Sequence, residues 1–404
     1  MLKKQSKTNL SANESVSKVD ALEAFFFGKV WEFGKMGEVL KRISHDKMFL
    51  ISAGVAALSL FLSRPRVTDI DWKTIFSLTA LLVLVAVYEH LEVLSYGAAW
   101  LVKLARTKRL LVQILVVAAF VAAMFLTNDA AIIALTPILM LVAAKVQLPV
   151  VLPVVLVNVA ANLGSMVMPF GNPQNLYLLN HFNLRLADFW QMAWPIATAS
   201  LGLLWLFSLR ISRDKIGDVK LPELKLQWGK LVFALCGTVL ILAGIFALIP
   251  LWLMLAVAIL LLLVIDPQLF KRLDYGLLLT FMMFFIAVGD VGRAPLVHHF
   301  MHALGATPFG TYLSGLLSSQ VISNVPAVIL LAPYTTHVYP LFLGVNLGGL
   351  GTLIASLANL LAYKQYYAWA KEPSNSYFKV FLQVNLCCLL VLGLLGAFLI
   401  AFQS

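Results

Sequence analysis

The feature that most restricts this chain is the recurrence of apolar runs too long for a soluble core. Stretches at about 48–63, 74–98, 148–178, 189–209, 230–249, 251–265, 274–290, 339–362 and 378–402 carry few charges. Many run past the roughly 18 residues that separate a membrane span from a buried helix. Hydrophobic residues make up 61% of the 404 and charged residues only 12%, about half the charged share of a globular chain. The expected fold is an all-α polytopic membrane protein.

The net charge of +11 does not indicate nucleic acid, because the basic residues flank apolar spans and form no aromatic-interleaved patch. Cys236, Cys387 and Cys388 lie within apolar runs and have neither a disulfide nor a metal spacing. The first 46 residues are too polar for a cleaved signal peptide. Within them, Ala21 to Ile43 sets Phe25, Phe26, Phe27, Trp31 and Phe33 among lysines and glutamates, the pattern of an amphipathic helix lying on a bilayer surface.

Two apolar stretches, Arg109 to Lys145 and Pro308 to Thr336, read as pairs of legs of about 13–17 residues. Each is interrupted by polar residues, Thr127-Asn128-Asp129 in the first and Ser323-Asn324 before Pro326 in the second. Legs that short suit a re-entrant hairpin whose polar tip is buried in protein or lines a cavity. With a cytoplasmic N-terminus and two re-entrant hairpins, 25 basic residues fall on the cytoplasmic side. Five, Arg64, Arg66, Lys73, Arg185 and Arg293, fall outside, as the positive-inside rule asks. The first hairpin then opens from the cytoplasm and the second from outside.

The halves are also related. Residues 127–138 align without gaps to 323–334, sharing Asn, Ala, Ile, Leu and Pro. Downstream, Asn162-Leu-Gly164 aligns to Asn346-Leu-Gly348, and Asn175-Leu176 to Asn359-Leu360. Repeats of opposite topology, each with an interrupted element, are the pattern of secondary transporters that bind substrate near the midplane. The expected organisation is an interfacial segment 1–46, a first inverted repeat 47–210 (hairpin 109–145), a cytoplasmic linker 211–229, and a second repeat 230–404 (hairpin 308–336).

The candidate site is Thr127, Asn128 and Asp129 facing Gly171, Asn172 and Asn175, with Ser323 and Asn324 facing Thr352, Ser356 and Asn359. Helix starts and Ser, Thr and Asn side chains suit an anion, whereas carbonyl and amide oxygens suit Na⁺, expected at Asn128, Asn172, Asn324 and Ser356 if sodium is the coupling ion. The competing reading is helix capping and interhelical packing. Asp129 breaks the repeat, its counterpart being Val325, and an intramembrane carboxylate is by default a functional candidate. Glu89, His90 and Glu92 lie toward the cytoplasmic end of the 74–98 stretch, as a proton path or as interfacial charges, and Glu89 and His90 are expected to be dispensable. His298, His299 and His302 are read as a solvated outside loop, with Asp290 the only carboxylate nearby and no metal expected. No GxxxxGK[ST] loop occurs, and the spans hold no Ser/His, paired Asp or HExxH arrangement, so neither ATP-driven transport by this chain alone nor an enzyme is expected.

Thr127-Asn-Asp-x-x-x-x-x-Leu-Thr-Pro-Ile138 followed by Pro169-x-Gly-Asn-Pro-x-Asn-Leu176 resembles the ion transporter superfamily, as do Ser323-Asn-Val-Pro326 and Gly351-Thr-Leu-Ile-Ala-Ser-Leu-Ala-Asn359 in the second half. That group includes arsenite-pump membrane subunits, sodium/proton antiporters, and citrate and dicarboxylate carriers, and the resemblance covers about residues 47–402. It implies a scaffold and a mobile transport domain, substrate at two hairpin tips, and elevator-like motion. Dicarboxylate carriers of the group carry Ser-Asn-Thr at both tips. Here each tip departs at the third position, Asp129 and Val325, which leans toward the arsenite-pump branch, while Gly-Asn-Pro-x-Asn leans toward the carboxylate branch. The expected function is a plasma-membrane secondary transporter of a small anion or oxyanion coupled to H⁺ or Na⁺, with no cofactor. A sodium/proton antiporter is the alternative, and a homodimer is compatible with the pattern.

Overall fold

Long runs of Leu, Val, Ile and Ala with few charged residues leave the backbone only one economical way to satisfy its hydrogen bonds in an apolar medium, the α-helix. The computed structural model describes residues 43–217, 225–370 and 376–403, and among them every regular element is helical. The surface segment read at 21–43 lies, but for Ile43, outside the described residues, as does almost all of 1–46.

In chain order the helices of the first half are α1 (Lys47–Ser59), α2 (Trp72–His90), α3 (Val93–Val102), α4 (Lys108–Phe125), α5 (Asn128–Lys145), α6 (Val151–Ser165), α7 (Pro173–Phe182) and α8 (Leu186–Ser208). The second half comprises α9 (Trp228–Ile245), α10 (Leu251–Ile265), α11 (Tyr275–Gly292), α12 (Pro295–Gly305), α13 (Pro308–Ile322), α14 (Asn324–Leu331), α15 (Val338–Leu347), α16 (Leu357–Trp369) and α17 (Ser376–Gln403). Six of the described helices, α2, α4, α5, α9, α11 and α17, are long and apolar enough to cross a bilayer.

The stretch at 148–178 is two helices, α6 and α7, separated by residues 166–172, and the stretch at 339–362 is α15 and α16, separated by 348–356. The first hairpin, α4–α5, packs on α6, and the second, α13–α14, packs on α15. The inner legs then cross over: α5 packs on α16 of the other half, and α14 packs on α7. Alanines line the first crossing, where Ala131 and Ile132 of α5 meet Ala161, Ala358 and Ala362. Small side chains let these backbones come close enough for short amide side chains to reach across.

Three expectations are corrected. The legs of the first hairpin are 18 residues each, not 13–17. Thr107 caps α4 so that Lys108 and Arg109 form its first turn, and Lys145 closes α5. Long basic side chains at helix ends can reach the interface from there. Short legs therefore describe only the second hairpin, with α13 of 15 residues and α14 of 8. The 74–98 stretch is not one span, because α2 stops at His90 and Glu92 takes a left-handed conformation (φ 54°) that turns the chain into α3. Finally, His298, His299 and His302 sit on a helix, α12, and not in a loop.

Outside the hairpins, α1 lies along α11, while α2 packs on α9 and α10. An ion-pair knot fastens the first pair. Arg293, just past α11, donates to Asp69 Oδ1 (2.8 Å) and Oδ2 (3.1 Å) and to Asp290. Ser59 and Ser63 each donate to Asp290 at 3.0 Å. Burial alone would push the Asp69 carboxyl up, but hydrogen bonds from Arg293 and the Arg66 N–H hold it below its ordinary value.

Candidate functional site

The polar residues singled out in the sequence meet where the two hairpin tips touch the two helix breaks. The backbone N–H of Asn128, at the first tip, donates to the carbonyl of Gly171 in the first break (3.2 Å), and that of Asn324, at the second tip, donates to Ala355 in the second (3.0 Å). The register that pairs Asn162 with Asn346 also pairs Gly171 with Ala355 and Asn172 with Ser356. The two contacts are therefore the same contact made twice.

The side chains repeat this correspondence across the halves. Asn162 donates to Asn359 Oδ1 (2.8 Å), and Asn346 donates to Asn175 Oδ1 (2.8 Å). Asn172 donates to Asn346 Oδ1 (3.2 Å), and Ser356 donates to Asn162 Oδ1 (3.0 Å). Asn175 and Asn359 also close their own breaks. Asn175 Nδ2 donates to the carbonyls of Met166 (3.1 Å) and Met168 (3.3 Å), and Asn359 Nδ2 to those of Gly349 (2.9 Å) and Thr352 (3.0 Å). Helix ends left open at a break are costly unless such partners exist. Here each half supplies part of the other's.

The halves are not equal. Thr127 caps α5 through a bond from Ala130 N–H (3.1 Å), and Asn172 caps α7 through one from Asn175 N–H (2.9 Å). Their counterparts Ser323 and Ser356 cap nothing, so α14 and α16 begin without a side-chain cap. Residues 166–172 are buried throughout, whereas in the second break Thr352 and Leu353 are half-buried and Ile354 is 63% exposed. Asn128 reaches Asn162 Oδ1 (3.3 Å) and its own Oδ1 accepts from Asp129 N–H (3.0 Å). That chain continues through Ser356, so the first tip and the second break share one network.

Two buried oxygens of this region have no partner, Asp129 Oδ1 and Asn158 Oδ1. The sequence reading passed over Asn158. It lies on α6 one turn before Asn162, is fully buried, and donates to Asn359 Oδ1 (2.9 Å). Its counterpart in the second half is Phe342, and that contrast was the available signal. Gln320, also passed over, bonds to the second break through both ends of its amide. Glu89 and Asp129 stand apart in the sequence, but they lie on α2 and α5, which touch each other. His90 Nδ1 lies 3.9 Å from Asp266 Oδ2. The histidines of α12 are elsewhere: His298 lies beside His302 with the rings tilted, and meets Tyr334 edge-on.

Residues 39–342 match the model of a family described as citrate transporters. The inner membrane protein YbiR of Escherichia coli is 30% identical over 348 residues, covering 80% of this chain and 89% of that protein. An uncharacterized transporter of Methanocaldococcus jannaschii is 29% identical over 326 residues, covering 78% of this chain and 88% of its own length. Among solved structures, the YdaH transporter of Alcanivorax borkumensis superposes with a TM-score of 0.54 at 16% identity, covering 81% of this chain and 85% of that one, a likeness of fold. With a family model matched over well more than half its length, and with apolar helices built to cross a bilayer, this chain belongs to the citrate transporter family of the ion transporter superfamily, as a multi-pass membrane secondary transporter.

Proposed function

We propose that this transporter carries a small anion, a carboxylate of the citrate kind or an oxyanion such as arsenite, coupled to H⁺ or Na⁺. The two halves act as inverted repeats with the N-terminus cytoplasmic, and the hairpins with their broken helices move as one transport domain in an elevator-type cycle. Support for a single moving unit comes from the reciprocal asparagine bonds, which tie both hairpins and both breaks together. Support for an anion comes from α14 and α16, whose uncapped starts direct positive partial charge toward the exposed second break.

The observation that carries the coupling reading is Asp129, a carboxylate at the first tip with a buried, unpartnered oxygen. The fold does not require an acid there, since Val325 serves at the second tip. A carboxylate in that position binds a proton or a cation but not both, which is the exclusivity a coupled carrier needs. Sodium/proton antiport without an anion is the second reading, favoured by the same oxygen. Purified protein in liposomes decides between them. Citrate or arsenite uptake should saturate and follow an imposed pH or Na⁺ gradient, and Asp129→Asn should reach the membrane yet lose that dependence. Na⁺/H⁺ exchange with no anion flux selects the antiporter, and unchanged coupling in Asp129→Asn removes Asp129 from the mechanism.

A further inference from the structure

Gln320 lies on α13, one turn before the second tip, and bridges the hairpin to the second break. Its Nε2 donates to the carbonyls of Gly348 (2.7 Å) and Leu350 (2.9 Å), which the end of α15 leaves without helical partners. Its Oε1 accepts from the Thr352 N–H (3.0 Å). The Thr352 hydroxyl donates to the Gln320 carbonyl (3.2 Å) and accepts from the Ala355 N–H (3.2 Å). Ala355 is the residue whose carbonyl receives the tip N–H of Asn324. One continuous chain of bonds thus runs from Gln320 through Thr352 and Ala355 to Asn324.

The backbone is shaped around this amide. Gly351 holds φ +105°, and a Cβ there would lie 2.3 Å from Gln320 Oε1. A side chain at 351 would meet both an unfavourable conformation and the bridging oxygen. The matching positions of the first half carry no such amide: Met124 aligns with Gln320 and Met168 with Thr352. Asparagine closure of the break is common to both halves, so it does not explain the glutamine. What distinguishes the second break is that it is open at 352–354 and begins α16 without a cap.

We propose that Gln320 is a positioning residue for the second tip: it holds Thr352 and Asn324 in the register that binds the anion, without touching the anion itself. The proposal rests on the reading that the tips bind substrate. The test compares wild type, Gln320→Met (the first-half residue) and Asn324→Ala, each purified in full length. In hydrogen exchange, Gln320→Met should speed the amides of 349–355 by about tenfold, the loss of one to two hydrogen bonds, and leave those of 166–172 unchanged. In liposomes with radiolabelled citrate, KM should rise by about tenfold while the maximal rate stays within about twofold. Unchanged exchange at 349–355, or equal acceleration of both breaks, would overturn the proposal, because the first means no clamp and the second a general loosening. Asn324→Ala separates the two levels: wild-type uptake there overturns the tip-site reading, while exchange still judges Gln320. If wild type carries no citrate, the exchange comparison alone decides.

Discussion

The two hairpin tips align Asn to Asn, yet one is relaxed and the other strained. Between α4 and α5 the turn has two residues, Leu126 and Thr127, and Thr127 stays extended (φ −153°) with its hydroxyl free to cap α5. Between α13 and α14 only Ser323 remains. A single residue must then reverse the chain, and Ser323 does so at φ +73°, ψ 156°, a region that is otherwise glycine territory and costs about 1–3 kcal/mol. Its hydroxyl donates to Asn324 Oδ1 and the Ala355 carbonyl, both at 3.4 Å, and accepts no N–H from the first turn of α14. A shared sequence motif therefore does not impose a shared local energy. The first tip is held by its own caps and a sealed break, the second by neighbours such as Gln320 and Thr352.

The largest effect that would test this contrast is expected at the breaks. A Cβ on Gly171 would sit 2.2 Å from the Ser165 carbonyl oxygen and 2.9 Å from that of Ala123. Both are backbone and cannot step aside, so Gly171→Ala should cost at least about 3 kcal/mol and most of the folded protein in size-exclusion melts. The second half already carries alanine at the matching position, and Ala355→Gly should shift the melt by less than about 1 kcal/mol. A wild-type melt for Gly171→Ala would mean that the first break is not sealed as described.

A smaller effect is expected at the caps. Thr127→Ala removes the bond to Ala130 N–H and should cost about 1 kcal/mol, whereas Ser323→Ala, which caps nothing, should cost less in the same thermal assay. Equal losses would erase the distinction between a capped and an uncapped tip. The smallest change should have the opposite sign. Ser323→Gly relieves the positive φ and should raise stability by up to about 1 kcal/mol. A drop instead would show that the hydroxyl contributes more at 3.4 Å than the strained backbone costs.

Much of the architecture was legible because it depends on local order. Apolar length marked the spans, and polar interruptions marked the tips and breaks at Thr127, Asn172, Ser323 and Ser356. The asparagine repeat told which positions correspond. Leg length in the first hairpin was misjudged because charged residues were counted out of helices that include them. The division of 74–98 was missed because an apolar run says nothing about a residue that will adopt a left-handed turn at Glu92. Gln320 gave only its contrast with Met124 in the repeat: one amide beside Ser319 on a helix looks like any surface polar residue until the break it serves is folded against it.

Hydrophobic length and short-range pattern act within a few turns of the chain, so helices apolar enough to cross a bilayer could be read from the sequence alone, as could the matching asparagine spacing of its two halves. Tertiary structure decided which amide meets which. Asn162 bonds to Asn359 across 197 positions and Asn175 to Asn346 across 171, and no local rule selects those partners. They are set by helix crossings that bring buried, otherwise unsatisfied polar groups together, where leaving even one unpaired costs more than the bond itself returns.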